Sequence, residues 1–171
     1  AFLELPKSTH NNATFCISII SYNSKVKSHT NGSWVKAQNQ ELVSRTLQSA
    51  LEVIPENGTN FEKALLAAKA MRPRPDAVYI ITDGLPTLGE PLGKFTISLA
   101  TRSCLNAKGR ISPDCRHLLF QKATEEYFKD QKIKTSTILL PLQGDQRAAS
   151  DYWNLALQSG GTTISPSKDW P

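Results

Sequence analysis

No stretch of the 171-residue sequence approaches the eighteen or so consecutive apolar residues that a membrane-crossing helix requires. Direct insertion of this segment into a bilayer is therefore not expected. Cysteine is scarce. The three present, Cys16, Cys104 and Cys115, are an odd number, which argues against a disulfide-built scaffold. Cys16 falls in a strand-like stretch and reads as a small buried hydrophobe. Cys104 and Cys115 flank a loop, and a bridge between them would add about 3 kcal/mol in the chain-entropy picture. Whether they pair is not decided by the sequence.

Enzyme signatures are missing as well. There is no Gly-x-Ser-x-Gly, so no nucleophile elbow, and no Gly-x-Gly-x-x-Gly. The stretch Gly89 to Lys94 imitates a phosphate loop only superficially. Leu88 stands where the first glycine belongs, and Phe95 follows Lys94 in place of Ser or Thr. His10, His29 and His117 are far apart in sequence, and Cys115-x-His117 beside Cys104 lacks a fourth zinc ligand at a usual spacing. Twenty Lys and Arg against fifteen Asp and Glu give a net charge of +5, but the basic residues are scattered. Nucleic-acid binding would call for a basic stripe with interleaved aromatics, and none is present. Three Asn-x-Ser/Thr triplets, at Asn12, Asn31 and Asn57, are of a kind that arises often by chance.

What the chain does contain is one emphatic apolar run, Ala77 to Ile81, stopped by Thr82-Asp83-Gly84. Its composition predicts a strand buried on both faces, as inside a parallel sheet. Ligands of open α/β folds bind beyond the carboxyl ends of such strands, where Asp83 stands. A second segment, Asn57-Gly58-Thr59-Asn60, leads directly into an alanine-rich helical pattern beginning at Phe61. The Thr59 hydroxyl and the Asp83 carboxylate are hard oxygen donors of the kind that suits Mg²⁺. Each residue also has a plainer reading, Asp83-Gly84 as a strand-end turn and Thr59 or Asn60 as a helix cap.

Gly58-Thr59-Asn60 followed by that helix, and then Ile81-Thr82-Asp83-Gly84-Leu85-Pro86-Thr87, resembles the second and third metal loops of a von Willebrand factor type A domain. The order and spacing of elements agree over most of the chain. The family's first metal loop, Asp-x-Ser-x-Ser, does not occur in these residues. The resemblance implies one domain over residues 1–171, incomplete at its N-terminus. It also implies a Rossmann-like three-layer α/β fold, with a mainly parallel sheet, one antiparallel edge strand and helices on both faces. The family's first strand would lie between Thr14–Ile20 and Ala77–Ile81, so without it two half-sheets would face each other with unpaired edges.

In function the resemblance implies a non-enzymatic interaction module. An acidic group of a protein partner would complete the coordination of a Mg²⁺, or a Mn²⁺ or Ca²⁺, held by Thr59 and Asp83. Asn60, Gly84, Pro86 and Thr87 would form the surrounding partner-binding rim. With the first loop absent, metal binding by this chain alone is expected to be weak or nil. The alternatives are a Mg²⁺-dependent phosphohydrolase of doubly wound fold using Asp83, and a metal-free scaffold. The compartment stays open; a bacterial envelope, with an anchor outside this segment, is one setting the resemblance allows.

Along the chain, local signals predict strands over Thr14–Ile20 and Ser33–Lys36, the second antiparallel to the first. A helix over Glu41–Ile54 would carry Val43, Leu47, Ala50 or Leu51, and Ile54 inward and end at Pro55. A second helix, Asn60–Met71, would face Phe61, Leu65, Ala68 and either Met71 or Ala64 to the core. Gly84 to Ser112 has no sustained period and reads as a long loop with a short helical piece near Ile97 to Cys104. Ser112-Pro113-Asp114 starts a helix to about Asp130, by cap, first-turn proline and first-turn acid. Lys134–Leu140 is a strand. Ser150 caps a last helix that Gly160-Gly161 ends, and Thr162–Ile164 is a final short strand.

Overall fold

A computed structural model describes residues 14–54, 58–89, 111–129, 132–140 and 145–165. Over these residues the chain is mixed α/β. The elements run β1 (Cys16–Ile17), β2 (Ile20–Tyr22), β3 (Val26–Ser28), β4 (Val35–Lys36), α1 (Gln40–Leu51), α2 (Phe61–Ala70), β5 (Ala77–Thr82), α3 (Pro113–Phe128), β6 (Lys134–Leu139), α4 (Ala148–Ser159) and β7 (Thr163–Ile164).

The described strands form three separate ladders. β1 pairs antiparallel with β4 and β2 antiparallel with β3, while β5, β6 and β7 make a parallel sheet in that order. The single strand expected over Thr14–Ile20 is thus two short ones. Val26–Ser28, which carries no sequence signal beyond its one β-branched residue, is a strand as well. The antiparallel pairing expected for Ser33–Lys36 is present in Val35–Lys36.

The parallel sheet is covered on one face. Ile80 and Thr82 of β5 and Thr135, Thr137 and Leu139 of β6 point into a core completed by Phe61 and Leu65 of α2, Phe120, Ala123 and Tyr127 of α3, and Tyr152 and Leu155 of α4. Phe61 stacks on Phe120 at 5.4 Å between centroids, and Tyr152 meets both rings edge-on. These aromatic contacts join α2, α3 and α4, so the three helices form one layer.

Among the described residues no helix covers the other face. Tyr79 is 73% exposed and Ile81 63%, and the row Ile81–Ile138–Ile164 runs across the three strands by register. The expectation that Ala77–Ile81 is buried on both faces is therefore corrected. Composition marks an apolar strand, but whether both faces are covered depends on a second layer that none of the helices contributing to this core supplies. α1 departs from expectation in the same way. Its buried side chain is Thr46, while Leu51 is 80% exposed and the following Ile54 78%. Cys16, expected to be buried, is exposed and free.

Of the signals expected at helix ends, those at Ser112 and Gly160 are realised and that at Ser150 is not. Asn39 caps α1, its Oδ1 accepting from Leu42 N. Ser112 caps α3 with Pro113 in the first turn. Gly160 ends α4 in the left-handed conformation at φ 75°. Ser150 is not the cap of α4. That position belongs to Arg147, which makes no side-chain capping bond, and the Ser150 hydroxyl donates to the Arg147 carbonyl instead. The expected helical piece at Ile97–Cys104 and the helix-ending Pro55 lie outside the described residues.

Candidate functional site

The carboxyl end of β5 gathers the two segments singled out by sequence. The last ladder bond there runs from Leu140 N to Thr82 O at 2.7 Å. Asp83 follows immediately and is exposed. Thr59 sits in the entry to α2, half-buried, and its segment is tied to the one after Asp83. Thr87 N and Leu88 N both donate to Thr59 O at 3.0 Å, and Thr59 N donates to Thr87 Oγ1 at 2.8 Å. An isolated parallel bridge links Asn60 to Leu88. Gly58 belongs to this junction: a Cβ there would lie 2.7 Å from both the Thr87 hydroxyl and the Leu88 side chain, so the two segments approach more closely than an alanine permits.

Asn60, not Thr59, does the capping. Its Oδ1 accepts from Lys63 N at 3.0 Å, and its own N–H donates to Asn23 O at 2.7 Å, drawing in the end of β2. That leaves the Thr59 hydroxyl unused as a cap. Of the residues expected to form a rim, Asn60, Gly84 and Pro86 are buried and Thr87 is half-buried. They shape the junction from beneath, and Asp83 is the exposed group above them.

Sequence reading missed what lies under Asp83. Asp145, just ahead of α4, is buried and accepts the Leu85 N–H through Oδ2 at 2.7 Å. Arg116 of α3 pairs with the same oxygen at 2.9 Å and donates to the Leu85 carbonyl from Nε at 3.2 Å and from Nη2. Tyr152 of α4 donates its hydroxyl to Gly84 O at 3.1 Å, as does Thr82 Oγ1. Both polar backbone groups of Leu85 are thus held by a buried ion pair, whose hydrogen bonds are of the strong charge-assisted kind. Nothing local in the sequence reveals this, because the partners lie 31, 60 and 68 residues away.

Tyrosine hydroxyls line the same corner. Burial raises the Tyr22 phenol above its ordinary value, the Thr82 hydroxyl opposes that, and the Asp83 charge adds to it. Tyr152 is raised further, first by burial and then by Tyr22. The bond from Asn60 N to Asn23 O brings the end of β2 to the entry of α2 at this corner.

Chemically, a hydroxyl and an exposed carboxylate that enters no ion pair among the described residues suit a hard divalent cation. Their number falls short. No group of three or more acidic, histidine or cysteine side chains fit to hold a metal occurs among the described residues, while Mg²⁺ takes six oxygens. In the first turn of α3, Cys115 is disulfide-bonded, and Cys104 lies outside the described residues. No protein-family model matches the sequence, and no curated protein matches it.

Proposed function

We propose that the chain is a protein-interaction module of the von Willebrand factor type A kind, in which Thr59 and Asp83 hold a divalent cation that an acidic group of a partner completes. The observation carrying this reading is the junction beyond β5. The Thr59 segment is bonded there to Thr87 and Leu88, four and five residues past Asp83, and Asp83 itself is exposed at the strand end. The separation of the β2–β3 ladder from the β5–β6–β7 sheet is what a Rossmann-like, three-layer fold would leave if a strand between them were absent, and the row Ile81–Ile138–Ile164 is where its second helical layer would rest.

The donor chemistry fits Mg²⁺ or Mn²⁺, and the bound ion would supply an electrophilic centre for a carboxylate. Thr59 would bring a neutral oxygen and Asp83 a charged one, with water making up the remainder, so the affinity of this chain alone is low. The buried Asn60, Gly84 and Pro86 keep the segments in place, and Thr87 borders the site.

Paramagnetic Mn²⁺ tests this directly. At millimolar concentration it should broaden the amide resonances of Thr59, Asn60, Asp83 and Gly84 ahead of others, and Asp83→Asn should abolish the effect. Broadening that scatters over other surface carboxylates, or that survives Asp83→Asn, would instead support the metal-free scaffold. Micromolar binding by calorimetry would refute the low affinity.

A further inference from the structure

We infer that Asp145, Arg116 and Tyr152 are positioning residues for Asp83: a buried clamp, built from α3, α4 and the residue three positions before α4, that fixes the turn on which the exposed carboxylate rides. What Asp83 binds rests on the reading above; that its position is set from beneath does not.

The backbone dictates the need. Beyond Thr82 O the ladder with β6 stops, so the polar groups of Gly84 and Leu85 have no strand partner while both residues are buried. Buried backbone groups must be satisfied from elsewhere. Here Tyr152 and Thr82 supply Gly84 O, Arg116 supplies Leu85 O, and Asp145 accepts Leu85 N–H. Farther along, Thr87 and Leu88 are pinned to Thr59. Asp83 is thus the one exposed residue between two fixed points, the last ladder bond before it and the clamp after it. Its side chain is free to meet solvent or a ligand, but its backbone has little latitude.

The pair serves stability as well, since the Leu85 N–H and carbonyl would otherwise be buried without partners. An ionised pair is still a costly way to meet that need, because both charges must leave water. Among the described residues the arrangement is also not fully satisfied, since Asp145 Oδ1 is buried there with no hydrogen-bond partner. A carboxylate kept inside with one idle oxygen breaks a packing rule, and proteins break such rules mostly where function requires a fixed geometry. The clamp also connects Asp83 to the seam between α3 and α4, which the largely buried His117–Asp151 pair at 2.7 Å and the exposed Asp114–Arg147 pair at 3.1 Å hold together. A shift of either helix would be delivered to the Asp83 turn through Leu85.

The test uses the whole chain, ¹⁵N,¹³C-labelled, with Asp145→Asn. The expected result is a retained far-ultraviolet circular dichroism spectrum, at least tenfold faster hydrogen exchange at the Leu85 amide, displaced Asp83 backbone shifts, and Mn²⁺ broadening at Asp83 that needs several-fold more metal. Faster exchange at Leu85 with Asp83 shifts and Mn²⁺ response unchanged would overturn the proposal, since the pair would then be structural only. If wild type shows no Mn²⁺ effect at Asp83, the metal reading fails and the Asp83 shifts decide the clamp: unmoved in Asp145→Asn, they overturn it. Should that variant not fold, Tyr152→Phe, which deletes one hydroxyl from the clamp, is judged by the same Asp83 shifts and Gly84–Leu85 exchange.

Discussion

Thr59 and Asn60 are adjacent but answer to different pressures. Asn60 is buried, caps α2 and anchors it to Asn23. Thr59 holds its place through backbone bonds alone, so its hydroxyl is dispensable for folding. Asn60→Ala should cost about 1–2 kcal/mol of folding free energy, the range for a lost N-cap. Thr59→Ala should stay within about 0.5 kcal/mol while weakening the Mn²⁺ effect. Denaturant melts of the two variants check this; a Thr59→Ala loss as large as that of Asn60→Ala would make the hydroxyl structural. The tyrosines give a pH prediction. Tyr22, Tyr127 and Tyr152 all have phenols raised mainly by burial, so the native state holds those protons more tightly than the unfolded chain. Their contribution is complete below the unfolded value of about 10 and is lost as pH climbs above it. Stability should fall in the alkaline range, and phenolate absorbance at these three should grow in together with unfolding. Ionisation complete before the circular dichroism signal changes would contradict it.

Elements were legible where their signals are local. Ser112-Pro113-Asp114 and Gly160-Gly161 mark helix ends by cap chemistry and by a left-handed glycine, which depend on a few consecutive residues. The junction with β6 makes the second of those glycines stringent. Gly161 N donates to Ala156 O at 2.8 Å, and a Cβ on Gly161 would lie 1.8 Å from the Thr135 carbonyl oxygen, a backbone atom that cannot step aside. Gly161→Ala should therefore separate β7 from β6 and cost several kcal/mol, whereas the same change at Gly32, where a Cβ meets nothing within 4 Å, should cost only its positive-φ strain. Thermal melts of the pair would show it. Illegible features are those that periodicity leaves open. Spacing groups Val43, Leu47 and Leu51 on one side of α1 but does not say that Thr46 is the residue turned inward. Likewise Asp83 and Thr59 stand out because a strand end and a helix start are local events. Arg116 and Asp145 look like ordinary helix and turn residues until the fold sets them on Leu85.

For the molecule as a whole, the cysteines and the open sheet face set its behaviour in solution. With Cys115 disulfide-bonded and Cys16 free among three cysteines, the oxidised protein should present one reactive thiol, at Cys16, and three after reduction. A count of three before reduction would exclude the bridge. The sheet face poses the larger question of balance. Tyr79, Ile81 and Ile164 are exposed, and none of them belongs to the buried core cluster. Contiguous apolar patches of this kind are uncommon on isolated monomers and mark surfaces that bind or aggregate. Because burial contributes roughly 25 cal/mol per Å² and Ile81 is 63% exposed, a polar side chain there removes little that now holds the native state together, while it interrupts the row Ile81–Ile138–Ile164 at one end. Ile81→Lys should therefore lower the fluorescence of a bound apolar dye and reduce concentration-dependent association in sedimentation, leaving the melting temperature within about 2 °C, the shift that a few tenths of a kcal/mol produces. A large fall in melting temperature would mean that Ile81 is covered in solution, and the open face would then have to be redrawn as an occupied one.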